Sequence, residues 1–415
     1  MDKCIVYIGD FDFRNENVQA HLVRNNGKML NFLGYHMEYI GINRKITSFK
    51  EVSLAPECRT SNYLELPDTL NAVGALKIGK IINIIIKKLN KLKKIYTIYG
   101  IITYQSPTYA FAISTIAKWC KKNRVSYIVN CADIPTFELQ PFIRRIVMKA
   151  NWHYLHKTNQ KRADGVIAVS KFIADYYGKP NRSIAVIPPT FDLSGAGVSE
   201  NKISSDNTVR FIYAGIPFKV TGREATPEGM KDRLDKIIDM FIRLSTDGVE
   251  FNFDIFGISK EDYLSGVPRH AAALVGENKI RFGGRLNHAE TLQMIARADF
   301  SINYRDENLE TRAGFSTKVV ESVSVGTPVI INSISDTFFY LKDGSDGFML
   351  SGDIEKDIEK LKMLCLMTQE ERSVLKRNLY EKKIFDVTKY KDTMDYFLSS
   401  LVIPKGNGEN DNRIC

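Results

Sequence analysis

The stretch KIRFGGRLNHAETLQMIARADFSINY, residues 279–304, decides the fold class. Lys279–Phe282 reads as a short strand, Gly283 and Gly284 punctuate it, a helix follows, and Phe300–Asn303 reads as a second strand. Strand, helix, strand in succession builds a parallel pair with a crossover helix. The same alternation extends in both directions. Downstream lies the strand Pro328–Asn332; upstream lie Val209–Ala214 and Phe251–Phe256. An earlier series comprises Lys3–Gly9, Met37–Ile40, Tyr96–Thr103, Ser126–Cys131 and Gly165–Val169. Lys3–Gly9 is a nearly continuous apolar run, as in a strand covered on both faces. A helix over Ala20–Leu33 stops at Gly34, a residue suited to a helix C-cap.

Two series imply two α/β domains, each a doubly wound parallel sheet, with ligands expected beyond the carboxyl ends of the strands. The expected boundaries are 1–190 for the first domain and 209–385 for the second. The polar, Ser/Gly/Asn-rich segment 191–208 reads as a linker. A helix over about 386–401 is expected to pack back on the first domain, ahead of a disordered tail at 402–415.

The chain has 415 residues and a formal net charge of +10, with 44% apolar and 26% charged residues. That is enough length for two cores, and the balance favours an anionic partner. Six scattered cysteines form no CxxC pair, so neither a zinc site nor a disulfide framework is expected. No apolar run reaches 18 residues, and the N-terminus reads as a core strand, so a cytoplasmic location is expected. No nucleic-acid-binding signature is present.

Several loops fall at strand ends. In TRAGFSTKVVESVSVGTPVI, residues 311–330, a Gly314-Phe315 turn leads into a helix over Thr317–Val325, with Ser316 or Thr317 as cap. A helix N-terminus suits a diphosphate. Lys318 opposes the helix dipole unless an anion lies beside it, and Glu321 is one turn away. The spacing fits a ribose-holding carboxylate and a plain surface Lys–Glu pair equally well. After the strand ending at Gly215 comes a long loop with Lys219, Arg223 and Lys231, all able to reach a phosphate. It carries neither a dinucleotide nor a P-loop fingerprint, and alone it reads as a solvated basic loop. Gly284 and Arg285 follow another strand, where glycine permits close approach of a base. In the first half, Arg14, Asn15 and Asn17 follow the first strand, and Asp133 precedes Pro135 as either a site carboxylate or a turn residue. Residues 75–95 place Lys77, Lys80, Lys87, Lys88, Lys91 and Lys94 on one side of a helix. Ile78, Ile82, Ile85, Leu89 and Leu92 fall on the other. Such a helix either packs on the sheet or meets an anionic bilayer.

Together these stretches resemble the retaining GT-B glycosyltransferases of family four, most closely bacterial enzymes that build surface polysaccharides. The resemblance is strongest from about 160 to 350. It rests on ADGVIAVSKFIADYY, on AVIPPTFD, on the 279–304 block, and on AGFSTKVVESVSVGTPVI followed by LKDGSDGFML. It implies two Rossmann-like domains facing a central cleft. It also implies transfer of a sugar, with retention, from a nucleotide diphosphate sugar to a hydroxyl of a lipid-linked glycan, without metal or other cofactor. Glu321 matches the second glutamate of the family's E-x7-E motif, which holds the ribose. Gly314, Phe315 and the amides of Ser316, Thr317, Lys318 and Val319 match the turn that cradles the sugar and diphosphate. Lys231 matches the phosphate-binding lysine, and Lys231, Lys318 and Asp133 are the expected catalytic groups. Gly215, Lys219, Arg223, Gly284, Arg285 and Arg312 complete the expected donor site, and Arg14, Asn15 and Asn17 the acceptor side. The sequence departs from the family in two places. Ala313 stands where the motif's first glutamate falls, and Ile216 where an arginine is expected; Arg312, Lys318 or Asp306 are the nearest substitutes for the lost carboxylate. These departures keep open a catalytically silent scaffold subunit in a polysaccharide-assembly complex. A sugar-nucleotide epimerase of the same fold is a third reading. A location on the inner face of the cell membrane accompanies the polysaccharide reading.

Overall fold

The structure, a computed structural model, describes residues 1–14, 18–43, 45–46, 48–53, 62–66, 77–105, 110–137, 140–180, 182–193 and 207–401. The chain divides into two compact units: Met1–Thr190 with Tyr390–Cys415, and Phe191–Lys389.

The first unit is an eight-stranded sheet. Its strands are β1 (Lys3–Gly9), β2 (His36–Ile42), β3 (Lys50–Ser53), β4 (Asn62–Leu66), β5 (Thr97–Tyr104), β6 (Ser126–Cys131), β7 (Gly165–Ala168) and β8 (Ser183–Val186). Their order is β3-β4-β2-β1-β5-β6-β7-β8, parallel except for the antiparallel edge strand β3. Every residue of β1 after Lys3 is buried, which is why the strand reads as an unbroken apolar run. The order reverses between β1 and β5. There Gly9 pairs with Tyr104, and a Cβ at Gly9 would come within 2.6 Å of the Tyr104 Cβ, so only glycine lets the two strand ends meet.

The second unit is a six-stranded, wholly parallel sheet of β9 (Arg210–Ala214), β10 (Asn252–Phe256), β11 (Ile280–Gly284), β12 (Phe300–Asn303), β13 (Val329–Asn332) and β14 (Gly347–Leu350). The order β11-β10-β9-β12-β13-β14 is that of a doubly wound nucleotide-binding sheet, with its reversal between β9 and β12. Its core is aromatic: Phe211, Phe241, Phe253 and Phe300 are fully buried, and the Phe241 and Phe253 rings stack at 4.2 Å.

Some expectations change. Strands β3, β4, β8 and β14 have no counterpart in the sequence reading; each is only four or five residues long and lies beside polar sequence. The segment 75–95 forms the helix Ile78–Ile95, but Lys88 does not join the solvated lysine face. It is buried, 3.3 Å from the buried Glu38 and 3.4 Å from Glu51, while Ile81, Ile85, Leu89 and Leu92 pack inward. An opposite charge offsets the cost of burying that ammonium. Within 191–208, Phe191 is buried and exchanges backbone hydrogen bonds with Phe385 and Val387, whereas 194–206 lie outside the described residues. The helix Lys391–Ser399 belongs to the first unit, where Tyr99 donates to the Leu398 carbonyl at 2.8 Å. The tail 402–415 lies outside the described residues.

Candidate functional site

The reversal point of the second sheet carries a buried charge cluster. Tyr213 comes from the end of β9, and Asp232 lies just before the helix Leu234–Thr246 that follows it. Arg305 stands two residues beyond β12, and Lys318 in the first turn of the helix Thr317–Ser324. The topology therefore converges four distant positions on one point. Asp232 is fully buried. Arg305 Nε lies 2.8 Å from its Oδ1, the Tyr213 hydroxyl donates to its Oδ2 at 2.9 Å, and Lys318 Nζ ion-pairs with the same oxygen. Lys318 also donates to the Tyr213 hydroxyl at 3.1 Å and sits 4.7 Å above that ring.

These contacts set the protonation states. Burial alone would raise the Asp232 carboxyl, but Lys318 and Arg305 more than offset it and hold it well below the usual carboxylate range. Burial pushes the Tyr213 phenol well up, and Asp232 adds to the rise, so the hydroxyl stays a neutral donor. Burial lowers the Lys318 ammonium, as do the nearby Arg305 and Lys231, while Asp232 opposes the fall. One carboxylate between two cations leaves the cluster with one net positive charge, and Lys231 adds another. A cation in the first turn of a helix is disfavoured by the dipole; the buried Asp232 is what holds it there.

The cluster borders a glycine ledge. A side chain at Gly215 would collide with the Lys318 stem, one at Gly257 with the Gly215 backbone, and one at Gly283 with the Phe256 ring. Gly284 adopts φ +68°, and its carbonyl accepts from the Gly257 amide at 2.7 Å. Three adjacent strands thus end in glycines that the protein's own close packing requires, and of these four positions Gly284 alone has open space beside it.

The expected donor residues fall in different places. Lys318, Gly215, Ser316, Thr317 and Val319 are brought together around the cluster. Ser316 is the residue ahead of the helix, but its hydroxyl makes no cap bond; it receives a long 3.4 Å contact from Asn303. Phe315 is buried with its ring against Tyr340 and Phe385, so it fixes the turn after Gly314. Lys318 and Glu321 do not pair with each other: Lys318 is committed to Asp232, and Glu321 Oε1 accepts from His288 Nε2 at 3.1 Å. His288 opens the helix His288–Arg297, whose start is fixed by an Asn287/Glu290 capping box. Lys231 is exposed, tied by its amide to the Pro217 carbonyl at 2.8 Å. Lys219, Arg223 and Arg285 are exposed. Arg312 is exposed and 3.6 Å from Glu307. Asp306 is held by Arg233 and Lys236. Ala313 is fully buried, its methyl enclosed by protein.

In the first unit, Asp133 follows β6, and its backbone oxygen accepts from the Cys131 thiol at 3.3 Å. Burial raises the Tyr104 phenol, and the carboxylates of Asp133 and Asp10 raise it further. Two carboxylates therefore flank the strand reversal of this unit. Arg14 lies 2.6 Å from Glu65, a fully buried carboxylate on β4, so its charge serves that pair. Asn15 and Asn17 lie outside the described residues.

The sequence reading missed Tyr213, Asp232, Arg305 and the pairing of His288. Two signals were present: Asp232 directly follows Lys231, and Arg305 follows a strand by two residues. Nothing in the local sequence says that they meet.

Residues 230–382 match the family model described as glycosyl transferases group 1. No curated protein matches the chain by sequence. Among solved structures, the Anabaena protein HepE in complex with UDP-glucose is similar at 16% identity and TM-score 0.62, covering 97% of this chain and 100% of its own. Sucrose-phosphate synthase from Thermosynechococcus elongatus is similar at 13% identity and TM-score 0.61, covering 97% and 99%. The lipopolysaccharide outer core galactosyltransferase WaaB is similar at 14% identity and TM-score 0.59, covering 95% and 99%. The fold is accordingly GT-B: two Rossmann-like α/β domains with parallel sheets.

Proposed function

We propose that the protein is a retaining glycosyltransferase that moves a sugar from a nucleoside diphosphate sugar to a hydroxyl of a lipid-linked glycan in surface polysaccharide synthesis. The observation that carries this reading is the cluster of Lys318, Arg305 and Asp232 at the strand reversal of the unit that matches the glycosyl transferases group 1 model. HepE is solved with UDP and with UDP-glucose, so a uridine diphosphate sugar is the first donor to test.

The chemistry follows from the charges. The bond between the sugar's anomeric carbon and the diphosphate oxygen breaks, and negative charge gathers on the leaving diphosphate. Lys318, Lys231 and the first amides of Thr317–Ser324 face that charge, with Asp232, itself held by Arg305, fixing Lys318 in place. Donors fixed before the reaction need no reorganisation during it. The acceptor oxygen attacks on the same face, and its proton passes to the leaving phosphate oxygen, so no protein nucleophile is required. Glu321, oriented by His288, accepts the ribose hydroxyls. Asp133 serves the acceptor side.

The test is calorimetry of the full chain with UDP-, GDP- and ADP-glucose, followed by turnover with acceptors extracted from membranes. Binding of one donor with transfer supports the proposal; neither binding nor transfer overturns it. The buried Ala313 favours one second reading, a scaffold subunit that binds without transfer. Donor hydrolysis by the isolated protein excludes it, and conversion of the donor to an epimer without acceptor points to the epimerase instead.

A further inference from the structure

We infer that the first half of the helix Phe142–Arg162 is a docking face for an anionic lipid bilayer. This deepens the lipid-linked acceptor of the proposed function and rests on it only for its purpose, since vesicle binding requires no sugar chemistry. Phe142, Ile143, Ile146 and Val147 are 67%, 77%, 53% and 48% exposed. A soluble chain buries such side chains when a core is in reach, and four within the first two turns of one helix form a patch that calls for a partner. With Ala150 and Tyr154 they recur at helical spacing and share one face. Phe111 of the neighbouring helix Ala110–Asn123 is also exposed, its ring 5.7 Å from Tyr154, and widens the patch.

Charge selects the partner. Residues 142–162 contain no aspartate or glutamate and six basic residues: Arg144, Arg145, Lys149, Lys157, Lys161 and Arg162. Lys157 and Lys161 continue the apolar face by one and two turns and are exposed. Arg145 reaches over the Phe142 ring, 5.8 Å from its centroid. An apolar crest that passes into cations on the same face fits a surface whose hydrocarbon lies under a layer of negative headgroups. No helix among the described residues is long and apolar enough to cross a membrane, so docking on the surface is the mode that fits. The helix Ile78–Ile95 is equally basic, but its apolar face is already spent on the sheet: Ile81, Ile85, Leu89 and Leu92 are buried. It can add attraction without insertion.

The experiment is flotation of the full chain with vesicles of phosphatidylglycerol and phosphatidylethanolamine, against pure phosphatidylcholine, at about 100 mM salt. Three proteins are compared: wild type, Ile143→Ser/Ile146→Ser/Val147→Ser, and Lys80→Gln/Lys87→Gln/Lys91→Gln. All substituted side chains are exposed, and equal thermal melts and donor binding check that the variants are folded. The expected result is binding of wild type to the anionic vesicles only, a loss of about 10-fold or more in the serine variant, and at most about 3-fold in the glutamine variant. Wild type that stays with buffer, or a serine variant that floats like wild type, overturns the inference. A wild-type dimer in sedimentation that the serine variant dissolves also overturns it, assigning the face to a second copy. Donor binding in a protein that does not float separates failure here from failure of the transferase reading.

Discussion

The two units share a strand plan and differ in what they gather at its reversal point. In the first, Gly9 meets Tyr104 between two carboxylates, Asp10 and Asp133. In the second, Gly215 lies under Lys318 among Arg305, Lys231 and a single buried carboxylate. A doubly wound sheet brings strand ends together but does not choose their charge. Under the proposed function, the cationic reversal is assigned to the leaving diphosphate and the acidic one to the hydroxyl acceptor.

The largest break in this contrast is removal of Asp232. Asp232→Asn keeps the shape and leaves Lys318 and Arg305 facing each other without a counterion, an expected loss of about 3 kcal/mol read by urea denaturation. Acid makes the same break. The folded Asp232 carboxyl lies below its unfolded value, so its stabilisation is full above the ordinary carboxylate value near about 4 and is lost as pH falls below it. Asp239, held at about 2 because His270 and Arg269 outweigh its burial, adds to that acid loss. Between pH 4 and 2, as an order-of-magnitude window, the asparagine variant is expected to show a shallower fall in melting temperature than wild type.

Next in size is Lys318→Ala, expected to weaken donor binding by about 100-fold in calorimetry, because it removes a fixed cation from the diphosphate. Lys231→Ala acts at the same place from an exposed position and is expected to cost about 10-fold in turnover. Wild-type rates in that variant would remove Lys231 from the site. The acidic side is probed by Asp133→Asn. It is expected to lower kcat/KM for the acceptor by about 10-fold while the donor Kd is unchanged. A shift in donor Kd instead would dissolve the proposed division between the units. The smallest effect is expected for His288→Ala, about 3-fold in donor Kd, since it only orients Glu321.

The helices of the first unit repeat the lesson. Ile78–Ile95 has the cleaner amphipathic pattern in sequence, and the structure uses that pattern for ordinary packing. Phe142–Arg162 has an interrupted pattern, and its apolar residues are the ones left outside. A periodic pattern says that a helix has an apolar face; only the neighbours say whether that face is covered.

The sequence by itself determined the alternation of strands and helices and the two α/β domains, because buried parallel strands must be continuously apolar and glycine must end them where backbones meet; the GT-B reading came from the family resemblance. It also marked Lys318, Glu321 and Lys231, because a lysine at a helix start and basic strand-end loops are local features. Their partners were not local. Asp232 lies 86 residues before Lys318, and His288 lies 33 residues before Glu321. Only the tertiary structure decided that Lys318 answers to Asp232 rather than to Glu321, and that Lys88 is buried. Coulomb attraction depends on distance and burial, and the folding of the sheets sets both.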